Sequence, residues 1–220
     1  MRTAYAAFLL LTSTLFAASA SAAPVFYGTR AAFLTQVGAS VTDDYSNSGY
    51  AFIQTNAAMS AVLGETDYLT TGHLNNNIVF ATQYCAGCNG SFLLTFTSTS
   101  VGGPGGVFGV GLDITFNSTA LPYHAFITYG DSSTQDVLLS AGIGFLGVTS
   151  DLDLRSIHFG LANGGATIDG SFAIDNLTIG RAASNVPEPA SIALVAVAFA
   201  AMGATRRRKL SCPSATLRAR

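Results

Sequence analysis

Large apolar side chains occupy every second position between residues 107 and 116, with glycine, aspartate or threonine between them. This period-two alternation is typical of an antiparallel strand that buries one face. Runs rich in β-branched and aromatic residues recur along the chain, separated by turn sequences such as 130–133 and 163–165. The predicted strands cover 25–27, 41–45, 78–82, 92–97, 107–116, 124–129, 136–139, 143–148, 154–161 and 171–179.

Two short segments among the first of these strands have helical spacing instead. In 29–37, Phe33, Leu34 and Val37 share one face, and Thr29 is a suitable N-cap. Residues 56–63 form the second segment, which ends at Gly64. No alternation of strands and helices follows, so a parallel sheet is not expected. The pattern predicts a mainly β fold: an antiparallel β-sandwich of jelly-roll type with one or two short N-terminal helices.

The first 22 residues have the composition of a secretory signal peptide. Arg2 precedes an apolar run, and small residues end in Ala20-Ser21-Ala22. We expect export by the Sec pathway and cleavage after Ala22, because cleavage one residue later would leave Pro24 at the new N-terminus. An uncleaved anchor is the alternative, and the shortness of the apolar run argues against it.

The C-terminal segment has three consecutive parts. Val186-Pro187-Glu188-Pro189 is followed by 16 uncharged residues, 190–205, and then by four cations, 206–209. As a helix the uncharged part would span about 24 Å, a little less than the hydrocarbon core of a bilayer. The cations would hold the end of that helix on the cytoplasmic side. The sequence therefore predicts a separate transmembrane helix, with a buried core helix as the alternative.

Taken together, these three parts resemble the PEP-CTERM sorting signal of exported proteins in Gram-negative bacteria. The residues that carry the resemblance are Val186, Pro187, Glu188, Pro189, Arg206, Arg207 and Arg208. The resemblance implies anchoring in the inner membrane, processing by exosortase (a membrane transpeptidase), and a destination at the cell surface or in the extracellular polysaccharide and biofilm matrix. The family signal usually ends at its basic cluster, whereas this chain continues to Arg220.

These observations divide the chain into four parts. They are a signal peptide at 1–22, a β-sandwich domain at 23–186, a sorting and transmembrane segment at 187–209, and a cytoplasmic tail at 210–220. The β-domain is acidic, with eleven carboxylates, three arginines and no lysine, a formal net charge of −8. Such a domain is a poor nucleic-acid binder. It is compatible with calcium, which prefers oxygen ligands, although solubility alone also accounts for most of these acids.

Cys85 and Cys88 form a Cys-x-x-Cys pair in a predicted loop between two strands. Cys212 lies beyond the membrane segment and cannot join them on the exterior. In an oxidising compartment we expect a disulfide between Cys85 and Cys88. Metal binding or redox chemistry is the alternative, but structural zinc needs four ligands and a thioredoxin-like site needs a βαβ setting.

Asp175 is the candidate metal ligand. Ile174-Asp175-Asn176 lies in the final predicted strand and resembles the last strand of jelly-roll carbohydrate-binding modules. That resemblance implies a structural Ca²⁺ held in part by Asp175. Asp43, Asp44 and Asp169 are other candidate oxygen donors, which the sequence does not place in space. Strand alternation places Asp175 on the apolar face with Leu177, where a carboxylate needs a cation or several hydrogen bonds. The alternative is an aspartate that accepts backbone N–H groups.

Other candidate residues suggest ligand binding or hydrolysis. Asp151 and Asp153 lie two positions apart, so a strand would place both carboxylates on one face. Glycoside hydrolysis needs two carboxylates about 5–9 Å apart across a cleft, and the spacing alone is compatible with such a pair. A solvated turn is the competing interpretation, and the chain has no Gly-x-Ser-x-Gly sequence. Aromatic rings for stacking on sugars are Tyr45, Tyr50, Tyr68, Tyr84 and Tyr123, whereas the absence of tryptophan argues against a sugar platform.

The sequence therefore favours an exported, non-enzymatic surface or matrix protein. Its expected partners are exosortase, the membrane, and exopolysaccharide or other matrix components. The alternative function is a carbohydrate-binding module, and a secreted hydrolase is a third hypothesis.

Overall fold

The computed structural model describes residues 23–71, 76–117, 122–166 and 171–183. Within them, the chain forms twelve antiparallel β-strands and two short helices, so the prediction of a mainly β fold is confirmed. The helices are α1 (Arg30–Leu34) and α2 (Asn56–Ala61). The strands are β1 (Val25–Tyr27), β2 (Val37–Asp43), β3 (Ile53–Gln54), β4 (Asp67–Thr70), β5 (Asn77–Phe80), β6 (Gln83–Ala86), β7 (Phe92–Thr95), β8 (Val107–Asn117), β9 (His124–Tyr129), β10 (Thr134–Leu138), β11 (Gly144–Gly160) and β12 (Phe172–Ala182).

All twelve strands hydrogen bond into one continuous sheet, whereas a sandwich would have two separate sheets. The connection is made by β11, because the two strands predicted at 143–148 and 154–161 are one strand of 17 residues. Its first part pairs with β1 and β8, and its second part pairs with β7 and β9. Asp153 lies between the two parts in a left-handed conformation (φ 58°), next to a register shift.

The hydrophobic core lies between the two groups of strands that β11 connects. Phe172 of β12 lies 5.9 Å from Phe92 of β7 and 5.3 Å from Phe159 of β11, measured between ring centroids. All three rings are fully buried. Since β12 and β7 are not hydrogen-bonded neighbours, their side chains meet face to face. The single sheet thus encloses an aromatic core between its two halves.

Helix α1 covers the second face of β8. Its N-cap is Thr29, and its buried residue Phe33 lies over Gly109 and Gly111. A Cβ atom on Gly111 would lie 2.6 Å from the Phe33 ring, so only glycine fits at this position. Strand β8 was expected to expose its small residues, but Phe33 buries them. Val37, predicted to share the helix face, instead begins β2 and pairs with Ala182.

The segments at both ends of the chain lie outside the described residues. They include the predicted signal peptide, the predicted membrane helix at 190–205 and the tail. None of the helices in the four described ranges is long and apolar enough to cross a bilayer. The compact unit that contains the sheet ends at Ala183, and the domain limits drawn from the sequence stay predictions.

Candidate functional site

The residues of the predicted sorting signal, Val186–Pro189 and Arg206–Arg208, lie outside the described residues. The same holds for Asp169, one of the suggested calcium donors. The candidate residues that the structure does describe fall into five groups. They are the cysteine pair, the surroundings of Asp175, the surroundings of Asp43, the outer face of β9 and β11, and a pocket beside Asp153.

Cys85 and Cys88 form a disulfide. Cys85 lies in β6, which the sequence did not predict as a strand, and Cys88 lies in the turn that follows. Gly90 N–H donates to Ala86 O across this turn at 2.7 Å, and Phe172 N–H donates to Cys88 O at 2.9 Å. The disulfide therefore closes a turn that is also fixed to the first residue of β12.

Asp175 does not share the apolar face of β12 with Leu177, so that expectation is wrong. A register shift falls between Asp175 and Thr178, and Asn176 is left-handed (φ 49°). The extra residue of this bulge reverses the alternation, so Ile174 and Leu177 are both buried while Asp175 is half-buried. Asp175 Oδ1 accepts a hydrogen bond from Asn176 N–H at 2.6 Å. This is the backbone-bonded arrangement that the sequence left open as the alternative.

Asp175 is paired across the strands with Asp113, and Arg30 supplies a positive charge beside them. Arg30 Nη2 lies 3.0 Å from Asp113 Oδ2 and donates to Asn176 O at 2.8 Å. Burial raises the pKa of Asp175, and the nearby Asp113 charge raises it further, while the bond from Asn176 N–H lowers it. Calcium takes six to eight oxygen ligands, but no group of three or more metal-binding side chains occurs among the described residues. Calcium binding at Asp175 stays a prediction.

Asp43 ends β2 inside a group of tyrosines. Its Oδ2 atom accepts hydrogen bonds from the hydroxyls of Tyr50 and of Tyr68, the latter at 3.1 Å, and its Oδ1 accepts from Tyr45 N–H at 3.0 Å. Burial raises the pKa of Asp43, while these bonds lower it in part. A small cavity of about 10 Å³ adjoins the carboxylate, room for roughly one water molecule. Asp43 is thus the acceptor of a buried hydrogen-bond network with these tyrosines.

The tyrosines proposed for sugar stacking belong to the core. Tyr45, Tyr68, Tyr84 and Tyr123 are at most 4% exposed, and Tyr50 is half-buried. Rings instead line the outer face of β9 and β11. The Phe126 ring lies between those of His124 and His158, with 5.8 Å between neighbouring centroids. Alternating positions along strands do not reveal which face is open, so sequence reasoning missed this row.

The polar atoms of this outer row are already bonded within the protein. His124 Nδ1 lies 2.7 Å from Asp136 Oδ1, and His158 Nε2 lies 3.1 Å from Thr71 Oγ1. Burial lowers the pKa of His158, which favours its neutral form. The row is therefore aromatic, but its nearest hydrogen-bonding groups are occupied.

A pocket of about 300 Å³ lies where β11 passes from one half of the sheet to the other. We call it the crossover pocket, and it is lined by Val101, Gly102, Gly103, Gly106, Phe108, Asp151, Asp153, Arg181 and Ala182. Gly109 of β8 pairs with Gly180 of β12, so Phe108 and Arg181 come next along the same ladder. The structure thus brings Asp151 and Asp153 together with an aromatic ring and a guanidinium group.

The glycine-rich loop fixes the other side of the crossover pocket. Gly106 is left-handed (φ 127°), and a Cβ atom there would lie 2.0 Å from Leu154 O, so only glycine allows this approach. A Cβ atom on Gly105 would lie 3.0 Å from Asp153 Oδ2, which shows how closely the loop meets that carboxylate. The run of glycines at 102–106 was the available sequence signal, but nothing in it indicated contact with β11.

The carboxylates of the crossover pocket are not engaged by other side chains. Asp153 is half-buried, and burial raises its pKa. Neither Asp151 nor Asp153 accepts a side-chain hydrogen bond or forms an ion pair within the described part of the chain. Arg181 Nη2 donates to Ser100 O at 2.9 Å and leaves its other N–H groups for a ligand. The pocket therefore offers free acceptors, free donors and a ring.

Comparison with known proteins identifies the C-terminal segment. The molecule combines an antiparallel β-domain with a terminal segment of the kind that directs an exported protein. The profile of the PEP-CTERM protein-sorting motif matches residues 185–209, so the chain is a protein that carries this sorting motif. The motif marks export and membrane-associated sorting to the cell surface in Gram-negative bacteria, with processing by exosortase, a membrane enzyme. No curated protein and no solved structure matches the chain.

Proposed function

We propose that the protein is a non-enzymatic component of the cell surface or of the extracellular exopolysaccharide and biofilm matrix. The observation that carries this proposal is the sorting motif at residues 185–209. The Sec pathway exports the chain, the C-terminal helix holds it in the inner membrane, and exosortase then releases it from that anchor. The β-domain is the part that reaches the exterior, and we assign it to a jelly-roll-like type because the two halves of its single sheet pack face to face.

Several titrating side chains of the described residues have internal contacts. His124 contacts Asp136 and His158 contacts Thr71, while Cys85 and Cys88 are bonded to each other. A structural calcium at Asp175 remains a proposal that the Arg30 contact weakens, because the guanidinium already pairs with Asp113, the carboxylate opposite Asp175.

Deleting residues 186–220 tests the sorting proposal. In the native host, the full chain should reach the cell surface as a species shortened at its C-terminus. The deletion variant should appear unanchored in periplasm or medium, because it lacks both the motif and the apolar segment. A matched control removes only 210–220, which lie beyond the motif and should leave sorting intact. Unchanged fractionation and unchanged mature mass in the 186–220 deletion would contradict the proposal.

Carbohydrate binding is the second candidate function, and the crossover pocket is the observation that favours it. Protein sites for sugars combine a ring with a few placed polar groups. Phe108, Asp151, Asp153 and Arg181 supply that combination in one pocket. Binding of the mature protein to any glycan on an array would support this function. Matrix retention without glycan binding would leave the first proposal alone.

A further inference from the structure

The crossover pocket holds a carboxylate with unused hydrogen-bonding capacity. The other buried or half-buried carboxylates in the described residues all accept hydrogen bonds: Asp43 from tyrosines, Glu65 from Thr99 and Ser100, Asp113 from Asn176, and Asp175 from Asn176 N–H. Asp153 is half-buried like Glu65, Asp113 and Asp175, but its carboxylate accepts no hydrogen bond within the described residues. A carboxylate that faces a pocket and is bonded to no internal donor can accept hydrogen bonds from a ligand.

We propose that the crossover pocket binds one neutral sugar unit of a polysaccharide. Asp153 and Asp151 accept hydrogen bonds from two of its hydroxyls, and Arg181 donates to a ring or hydroxyl oxygen. Phe108 packs against the apolar C–H face of the sugar. This inference rests on the proposed carbohydrate-binding function, and it adds the class of sugar and the residues that hold it.

The charges in the pocket select a neutral ligand. Two carboxylates and one guanidinium leave a net negative charge, which opposes a uronic acid or a phosphate. A metal cation would leave the N–H groups of Arg181 unbonded, whereas a hydroxyl both donates and accepts and can satisfy either kind of group. The volume of about 300 Å³ lies at the lower end of the range for small-molecule sites, so a single sugar unit fits better than a longer segment.

The outer ring row, formed by His124, Phe126 and His158 on β9 and β11, is the less suitable surface for binding a sugar. His124 and His158 already use their nearest polar atoms on Asp136 and Thr71, so a sugar there would have to displace internal bonds. In the crossover pocket no such exchange is needed. The pocket is also held by main-chain contacts: Gly106 lies against β11, and Gly130 N–H donates to Leu152 O at 3.0 Å. A rigid frame keeps the acceptors in position before the ligand arrives.

Ligand-observed NMR and calorimetry on the mature protein from its host provide the test. The probes are glucose, galactose and mannose, with glucuronate as the charged comparison. We expect at least one neutral sugar to bind more tightly than glucuronate. Asp153→Asn should weaken that binding about tenfold or more, because it removes a charged acceptor. Asparagine tolerates the left-handed conformation at position 153, so the variant should keep the fold.

Three further variants make the outcome decisive. Asp151→Asn should also weaken binding, while Asp67→Asn, an exposed aspartate on β4, should bind like the wild type. Phe126→Ala tests the outer ring row and should have no effect on sugar binding. Neutral-sugar binding that survives Asp153→Asn but is lost in Phe126→Ala would overturn the site and leave carbohydrate binding standing. Preference for glucuronate would overturn the class of ligand, and no binding of any probe by the wild type would overturn both proposals.

Discussion

At the scale of single residues, Asp43 shows how the domain keeps a carboxylate buried although it has no lysine to pair with it. Asp43 keeps its carboxylate in the interior through three hydrogen-bond donors, and burial nevertheless raises its pKa. A folded-state pKa above the unfolded value means that the folded protein binds the proton more tightly. Asp43 therefore contributes stability that is fully present below its unfolded pKa of about 3.9 and is lost as the pH rises through its folded pKa.

Tyr68→Phe should make the dependence of stability on pH steeper. The Tyr68 hydroxyl bonds the charged form of Asp43, so its removal raises the pKa of Asp43 further and weakens the protein most at neutral pH. We expect a loss of about 1.5–3 kcal/mol at pH 7 and a smaller loss at about pH 3, measured by urea unfolding. Tyr129→Phe is the matched control, because its hydroxyl donates to the neutral Gln135 Oε1. Equal losses at both pH values in Tyr68→Phe would contradict the argument.

At the scale of elements, the β5–β6 hairpin carries local strain. Its two turn residues, Ala81 and Thr82, both have positive φ, 48° and 61°. A two-residue turn of this kind favours Asn-Gly, and a β-branched residue in a left-handed conformation is strongly disfavoured. Each such residue costs on the order of 1 kcal/mol or more.

Replacing Ala81-Thr82 with Asn-Gly should therefore stabilise the protein. We expect a gain of about 1–2 kcal/mol in the free energy of unfolding, because asparagine and glycine adopt these dihedrals with little strain. Ser98→Gly, in an exposed turn without positive φ, controls for the added flexibility of glycine and should be neutral or slightly destabilising. A double variant no more stable than the wild type would show that the turn is not strained.

The elements that the sequence predicted well are those with a local signal. Strands β1 and β9 have the predicted bounds, and Thr29 caps the first helix as predicted. The predictions that were wrong concern features that depend on contacts between residues far apart in the sequence. The bulge at Asn176 reversed the exposure of Asp175 because β12 pairs with β8 on one side and β2 on the other with different registers. Alternation in one strand carries no information about such a shift.

The candidate site follows the same rule. The Cys85–Cys88 disulfide could be predicted, because three positions separate the cysteines. The crossover pocket could not, because Phe108, Asp153 and Arg181 come from three strands and meet only where β11 changes partners. Asp151 and Asp153 were recognised as a pair, but their ring and guanidinium partners required the fold.

On the scale of the whole molecule, one aromatic cluster holds the two halves of the sheet together. Phe172→Ala should cost about 3–5 kcal/mol, because the ring contacts Phe92, Phe159 and Tyr123. Far-ultraviolet and near-ultraviolet circular dichroism should show both halves unfolding in one transition at lower temperature. Phe80→Ala is the control, since that ring is 69% exposed and should change stability by less than about 1 kcal/mol. Two separate transitions in Phe172→Ala would mean that other contacts couple the halves.

The pairing of the first strands with the last ones sets the order of events during export. Tyr27 of β1 bonds Thr149 of β11 across 122 positions, and Thr42 of β2 bonds Thr178 of β12 across 136. Contacts so distant in sequence make folding slow, since long loops must close before the contacts form. Strands β1 and β2 therefore have no partners in the sheet until β11 and β12 are available. If the N-terminus of the exported chain crosses the membrane first, the sheet can be completed only after β12 has followed, and β12 directly precedes the sorting motif.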